Sequence, residues 1–390
     1  MSFNYIGSKK SLIDFLDIPI KKIVESNKTK IKFLDGFAGT GIVGSSFHSK
    51  YNFNIISNDL EYYSYIINYS LLCVEYSDKL NDIILKLNNN INNKLWSVSL
   101  THTLISTNYS PKGEMKRMYW TTENAEKCDY IMEQLDIMLN KTIDNNMYIY
   151  LKGCLLAAMD EVANTACVYG AYLKKFKKSA LKSLTLKPLH TNKKMNSNEI
   201  GYEIGNELGN EIDNEIDNII YNNDINSDTI LNQTYDICYL DPPYNERQYS
   251  SNYHPLNYIA MYDSNITIYG KTGLIKDYNK SKYCNKSALL TLTELITKLK
   301  TKHILLSYNN EGIIDIEKIK TLLLNEGDVI LYKKIYKKFK SEKKIVEIVE
   351  DKISLDKVTT VYEYLFHCTK KISKISSITK DNKYSEIIIS

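Results

Sequence analysis

The stretch Ile31-Lys32-Phe33-Leu34-Asp35-Gly36-Phe37-Ala38-Gly39-Thr40-Gly41-Ile42-Val43-Gly44 decides the fold. An apolar run from Ile31 to Leu34 stops at an acid and a glycine-rich turn, and Ile42, Val43 and Phe47 then recur at helical spacing. The stretch reads as strand, tight loop, helix. A second apolar run, Asn54 to Ser57, ends in Asn58-Asp59. Strand, helix, strand in this order calls for a right-handed crossover and a parallel sheet, so the class is α/β.

The loop contains a formal GxGxxG from Gly39 to Gly44, and Asp59 falls twenty residues after Gly39. Glycines let a backbone approach a cofactor closely, and an acid at the next strand end takes ribose hydroxyls. That pattern serves a dinucleotide as well as other nucleosides, so an NAD-dependent oxidoreductase stays open on the glycines alone. Asp35 shifts the balance. A carboxylate ahead of the glycines would repel a pyrophosphate, whereas it suits the ammonium of a methionine moiety. The Asp35-x-Phe37-x-Gly39-x-Gly41 arrangement resembles the one that S-adenosylmethionine enzymes use.

Further along, Asp236 to Leu240 reads as a strand leading into Asp241-Pro242-Pro243-Tyr244. Two prolines cannot continue a ladder, so the chain leaves the sheet there and exposes a carbonyl. Adenine's exocyclic amine is a poor nucleophile, and positive charge develops on its nitrogen as it attacks an electrophilic methyl. A carboxylate and a backbone carbonyl aimed at its two hydrogens stabilise that charge. Tyr244 offers a flat face for an extruded base.

Taken together these motifs resemble the Dam-like, alpha-class adenine-N6 DNA methyltransferases, including those of restriction–modification systems. The resemblance runs from Asn4-Tyr5-Ile6-Gly7-Ser8-Lys9 through Asp35 to Gly41, Asp59, Asn223-Asp224 and Asp241 to Tyr244. It continues through Asn245-Glu246-Arg247-Gln248-Tyr249, Asn252-Tyr253-His254 and Ser307 to Gly312. It implies a Rossmann-like S-adenosylmethionine-dependent methyltransferase sheet with an inserted, mostly helical target-recognition domain. It also implies that Tyr5, Lys9, Asp35, Gly36, Phe37, Gly39, Gly41, Asp59, Asp224 and Asp241 contact the cofactor, and that Asp241, Pro242, Pro243 and Tyr244 carry catalysis. The expected boundaries are 1–60 for the first part of the catalytic domain, 61–218 for the insertion and 219–390 for the remainder. Residues 196–218 are a degenerate acidic Asn-Glu-Ile repeat, read as a solvated lineage insertion.

A net charge of +4 from 50 basic and 46 acidic residues is too balanced to name a polyanionic partner, so DNA contact must rest on local clusters. Lys174, Lys175, Lys177 and Lys178 form one, with Tyr169, Tyr172 and Phe176 interleaved; Lys112, Lys116 and Arg117 form a second beside Tyr119 and Trp120. Arg247 sits just past the catalytic turn. These are the expected contacts to duplex DNA. His254 is not required as a general base, because a protonated aromatic amine loses its proton to water.

Other classes are disfavoured. Seven cysteines without a CxxC pair argue against zinc or a disulfide framework and for a reducing compartment. No metal site is expected. No run of about 18 apolar residues supports a membrane span. The 32 tyrosines fit the codon bias of an AT-rich genome. An intracellular, soluble monomer or weak dimer is expected, cytoplasmic or nucleoid-associated and of cellular or viral coding, with a cognate restriction endonuclease as partner. Three alternatives are weighed against it: a methyltransferase of RNA or of a protein amide, an oxidoreductase, and a non-catalytic DNA-binding protein. The intact Asp241 to Tyr244 turn argues against the last.

Overall fold

The computed structural model describes residues 7–27, 29–97, 100–139, 141–190, 218–336, 361–371 and 382–389. Its strands are β1 (Lys32–Asp35), β2 (Asn54–Asp59), β3 (Ile219–Asn222), β4 (Thr234–Leu240), β5 (Ile268–Tyr269), β6 (Leu274–Ile275), β7 (Lys300–Asn309), β8 (Gly327–Tyr336), β9 (Val361–Lys370) and β10 (Tyr384–Ile389). Its α-helices are α1 (Ile13–Glu25), α2 (Ile42–Tyr51), α3 (Tyr62–Leu72), α4 (Asp78–Asn92), α5 (Leu104–Tyr109), α6 (Thr122–Met138), α7 (Asn145–Glu161), α8 (Asp228–Leu231), α9 (Tyr249–Met261), α10 (Ala288–Lys298) and α11 (Ile316–Glu326). The class is α/β, with mostly parallel strand pairing. Tyr5 and the acidic repeat lie outside the described residues, apart from Asn218 at the end of the repeat.

The chain forms two compact units. One comprises residues 1–11, 38–224 and 247–281; the other comprises 12–37, 225–246 and 282–390. These boundaries differ from the three-segment division expected from the sequence, since the glycine loop from Ala38 onward and β2 group with the insertion.

In the second unit β1, β4 and β7 are parallel neighbours. β9 lies antiparallel between β7 and β8, and β10 runs parallel to β8 on its far side. Ile237, Cys238 and Leu240 on β4 and Ile304, Leu305 and Leu306 on β7 are fully buried. Near-continuous apolar runs of this kind belong to strands covered on both faces. β4 stops where Pro242 and Pro243 remove two ladder donors.

The first unit is largely helical. β2 and β3 pair in parallel, with Asp59 opposite Asn222. Side-chain caps start its helices: Ser77 on α4, Thr121 on α6 and Asp144 on α7 each accept a backbone N–H two or three residues inside. α7 is buried over most of its length from Met147 to Asp160, so α3, α6 and α9 surround it as a core helix rather than a surface one. Tyr63, Tyr109, Tyr119, Trp120, Tyr169 and Tyr253 fill that core with 0–1% exposure.

Candidate active site

The sequence places its acids at strand ends, and within each unit the structure sets them side by side. In the second unit Asp35 is opposite Tyr239 at the end of β1, and Asp241 follows β4 by one residue. The Gly36 N–H donates to the Tyr239 carbonyl (2.9 Å), which closes the ladder just before the chain turns away. Asp35 is 1% exposed. Phe37 meets the edge of Tyr283, with ring centroids 5.0 Å apart. C-terminal ends of parallel strands are where open α/β sheets bind ligands.

Past β4 the Asp241 to Tyr244 turn is held from two sides. The Tyr244 hydroxyl donates to the Asp241 carboxylate. Burial, and then the Asp241 charge, hold that phenol well above its ordinary range, so it stays a donor. The Ile313 N–H donates to the Tyr244 carbonyl (2.8 Å). The Tyr244 ring meets Tyr308 edge-on at 5.1 Å, and Tyr308 in turn lies over Gly312, where any Cβ would sit 2.2 Å from the ring. Gly312 therefore sets Tyr308, and Tyr308 backs Tyr244.

In the first unit the glycine loop is shaped by α3. Gly39 and Gly41 have φ of 51° and 72°, in the left-handed region that favours glycine. A Cβ on Gly41 would also lie 2.7 Å from Asn68 Oδ1. The Gly39 carbonyl accepts from Ser64 Oγ (2.5 Å) and Asn68 Nδ2 (3.1 Å), and Ser57 Oγ donates to Asn68 Oδ1 (2.7 Å). Ser64 and Asn68 are almost fully buried, and sequence reading passed over both. Their signal was available: two polar residues four apart on the apolar face of the helix that follows Asp59.

Asp59 accepts the Gly39 N–H (2.7 Å) and the Glu61 N–H (2.9 Å) on separate oxygens. Burial raises its pKa against the pull of those bonds. Each oxygen keeps acceptor capacity, which suits the hydroxyls of a ribose diol. Asn222 Nδ2 donates to the Asp59 carbonyl (3.0 Å) and Asn58 Nδ2 to the Asn223 carbonyl (3.2 Å), so Asp224 leaves β3 beside the Asp59 turn. Lys9, 3% exposed, begins a short 3-10 turn. Within the first unit, a strand-end acid and a glycine loop with backbone turned to positive φ fit the ribose of a nucleoside cofactor such as S-adenosylmethionine.

The basic clusters divide. Lys174, Lys175 and Lys178 are exposed, as are Lys116 and Arg247. Lys177 is partly buried and donates its Nζ to the Thr165 carbonyl (2.7 Å). Arg117 is 5% exposed, and its guanidinium donates to the carbonyls of Asn108 (2.7 Å), Gly270 (2.9 Å) and Lys271 (3.1 Å). This corrects the expectation for Arg117: its donors are spent on the fold, where they clamp the β5–β6 turn. Tyr119, Trp120 and Tyr169, interleaved with these cations in the sequence, are core residues. Asn164 ties the lysine segment down, accepting from the Lys177 N–H (3.0 Å) and donating to the carbonyls of Met118 (2.9 Å) and Leu173 (3.0 Å).

His254 is structural. Pro255 has no N–H for the Ser251 carbonyl four residues back, and α9 kinks at Tyr253. His254 Nδ1 lies 2.9 Å from that orphaned carbonyl and Nε2 lies 2.9 Å from the Thr272 carbonyl. Burial lowers its pKa to about 4 despite both carbonyls.

The family model described as D12 class N6 adenine-specific DNA methyltransferase matches residues 5–322. The chain is 39% identical over 342 residues to the type II methyltransferase M.NlaIII of Neisseria lactamica, covering 87% of this chain and 93% of that protein. It is 34% identical over 340 residues to the type II methyltransferase M.CviAII of Paramecium bursaria Chlorella virus 1, again covering 87% and 93%. Against the type II methyltransferase M.FokI of Planomicrobium okeanokoites it is 36% identical over 399 residues, covering 98% of this chain but only 55% of that longer protein. No solved structure matches the chain.

Proposed function

Because the chain belongs to the D12 class of N6 adenine-specific DNA methyltransferases and so methylates adenine in DNA site-specifically, we propose that Asp241, Pro242, Pro243 and Tyr244 carry that reaction on an adenine swung out of the duplex. The observation that carries this reading is the turn after β4, where the Asp241 carboxylate is presented at a strand end and steadied by the Tyr244 hydroxyl. S-adenosylmethionine, when bound, supplies a methyl made electrophilic by its sulfonium. Asp35 meets its ammonium and Asp59 its ribose; Tyr5, Lys9, Gly36, Phe37, Gly39, Gly41, Asp224 and Asp241 line the remainder.

The carboxylate of Asp241 and the backbone carbonyl of the Pro242–Pro243 pair accept the two amine hydrogens. They align the nitrogen lone pair and offset the positive charge that grows on it. The amine proton then passes to water. Tyr244 keeps the extruded base in place by stacking. Exposed Lys174, Lys175, Lys178, Lys116 and Arg247 hold phosphates, which fixes register without reading sequence. Residues 61–218 serve target recognition. The names of the relatives also suggest a cognate restriction endonuclease as partner, with this chain acting as a monomer or weak dimer.

The test is methyl transfer from labelled cofactor to duplex DNA against structured RNA, with the modified base identified afterwards. N6-methyladenine in duplex DNA is expected. Label on cytosine, or on RNA alone, overturns the reading.

A further inference from the structure

Glu61 lies one turn from the cofactor-side acid Asp59 and is 5% exposed, yet no cation faces it among the described residues. Its partners belong to two other segments. Ser250 Oγ, in the first turn of α9, is within hydrogen-bond reach of Glu61 Oε1 and 2.8 Å from the Asn279 carbonyl. Asn257, also on α9, accepts the Tyr63 N–H on Oδ1 (3.0 Å), which turns its Nδ2 toward Glu61 Oε2 at 2.5 Å.

Hydrogen counting decides the protonation state. A serine hydroxyl has one hydrogen, and here it has two oxygen neighbours. If Glu61 is a carboxylate, both neighbours are pure acceptors, so one of the two short contacts has no hydrogen in it. If Glu61 carries a proton, its O–H donates to Ser250 Oγ, Ser250 donates to the Asn279 carbonyl, and Asn257 donates to the other Glu61 oxygen. Every polar atom is then satisfied. Burial supports the same state, lifting the Glu61 carboxyl to about 7 against the pull of Ser250 and Asn257, with the neighbouring Asp59 charge adding to the rise. A cavity of about 460 Å³ adjoins the carboxyl, and its titratable lining besides Glu61 is Tyr62 on α3 and Asp277 and Tyr278 on the 276–279 segment. None of these is a base that would take the proton as a cation.

We propose that Glu61 is a positioning residue for methyl transfer, whose protonated carboxyl latches the first turn of α9 and the 277–279 segment to the Asp59 turn. The latch reaches Asp59 through the backbone, since the Glu61 N–H donates to the Asp59 carboxylate (2.9 Å). Ionised Glu61 sets a second negative charge beside Asp59 and breaks the Ser250 to Asn279 relay. The proposal rests on the reading of Asp59 as the acid that holds the cofactor's ribose.

Glu61→Gln tests it, because an amide offers one donor and one acceptor at every pH, as the protonated acid does. Two readouts are measured from about pH 5 to about pH 9. The first is the melting temperature of the free protein. The second is KM for S-adenosylmethionine with kcat on duplex DNA. The wild type should lose melting temperature relative to Glu61→Gln between about pH 4.5 and about pH 7, where the folded state alone binds the proton. Its KM should rise roughly three-fold or more above pH 7 while the variant's stays flat, with kcat little changed in both. Parallel melting and KM profiles overturn the proposal. A pH-dependent melting difference with parallel KM profiles overturns the positioning role. Should the variant not fold, carboxyl-carbon NMR of the wild type decides the proton: one glutamate should titrate near pH 7, and none doing so overturns the latch. If the wild type transferred no methyl group at all, the functional reading would fail while melting and NMR still judged the latch.

Discussion

The hydroxyl of Tyr244 donates to the carboxylate of Asp241, so the group proposed to receive the substrate amine is already engaged by its own motif. The tyrosine holds the carboxylate in one orientation, and its proposed second role is to offer a stacking face. Asp241→Ala removes the anion that meets the developing charge, and single-turnover methyl transfer should fall roughly a hundredfold or more. Tyr244→Ala should weaken flipping by about 1–3 kcal/mol, read by 2-aminopurine fluorescence at the target position. Tyr244→Phe keeps the face and loses the hydroxyl, so flipping should survive while the chemical step slows. Near-normal transfer by Asp241→Ala would sink the mechanism.

Gly312 reaches the same motif indirectly. A methyl group there meets the Tyr308 ring, which backs Tyr244 edge-on. Gly312→Ala should therefore lower kcat with little change in cofactor affinity. The paired change Gly312→Ala with Tyr308→Leu should recover part of the loss, because it removes the clashing ring. Equal damage in single and double variants would detach Gly312 from Tyr244.

The lysine segment gives a different signature from Arg117. Replacing Lys174, Lys175 and Lys178 with Ala should flatten the salt dependence of DNA binding by about one unit of slope per lost phosphate contact, leaving melting unchanged. Arg117→Ala should do the reverse. Three carbonyls lose their donor, costing on the order of 3 kcal/mol in stability. An Arg117→Ala protein with wild-type melting and a reduced salt slope would restore Arg117 as a DNA contact.

Acid should weaken the fold through His254. Its folded pKa of about 4 lies below the ordinary value of 6.5, so the unfolded chain takes the proton first. The stabilisation is present above about pH 6.5 and is lost as pH falls through about 4, by up to roughly 3 kcal/mol. Burial likewise lowers His303 and His367, whose rings share a 3.1 Å nitrogen contact, to about 4. Denaturant unfolding between pH 4 and pH 7 checks this, and His254→Gln should reduce the slope. An unchanged slope in that variant would assign the acid sensitivity elsewhere.

Strand ends were legible because they are written locally: an apolar run, then an acid with glycine or proline. β1, β2 and β4 fall where Leu34, Ser57 and Leu240 led one to expect. The roles of Arg117, Ser64 and Glu61 were not legible. Each is fixed by partners far along the chain, such as Gly270 for Arg117 and Ser250 for Glu61, and charge or polarity alone does not reveal a distant carbonyl or hydroxyl. The aromatic residues beside the cations misled for the same reason. A tyrosine near lysines suits a base platform equally with a core, and burial decided for the core at Tyr119 and Tyr169. The β5–β6 hairpin, with two residues in each strand, is too short to stand out by periodicity.

The place of β9 also bears on how the protein is made. It is threaded between β7 and β8, although its residues leave the ribosome after both. Until Val361–Lys370 emerges, one edge of β7 lacks its ladder partner, and the buried side chains of Ile304, Leu305 and Leu306 have no Leu365 and Phe366 beside them. Such pairing closes a gap of more than fifty residues from β7, which is slow, and an open apolar strand edge invites pairing with another nascent chain. Synthesis therefore passes through an interval of aggregation risk that ends only with β9, and a polypeptide interrupted after Glu326 would remain in that state.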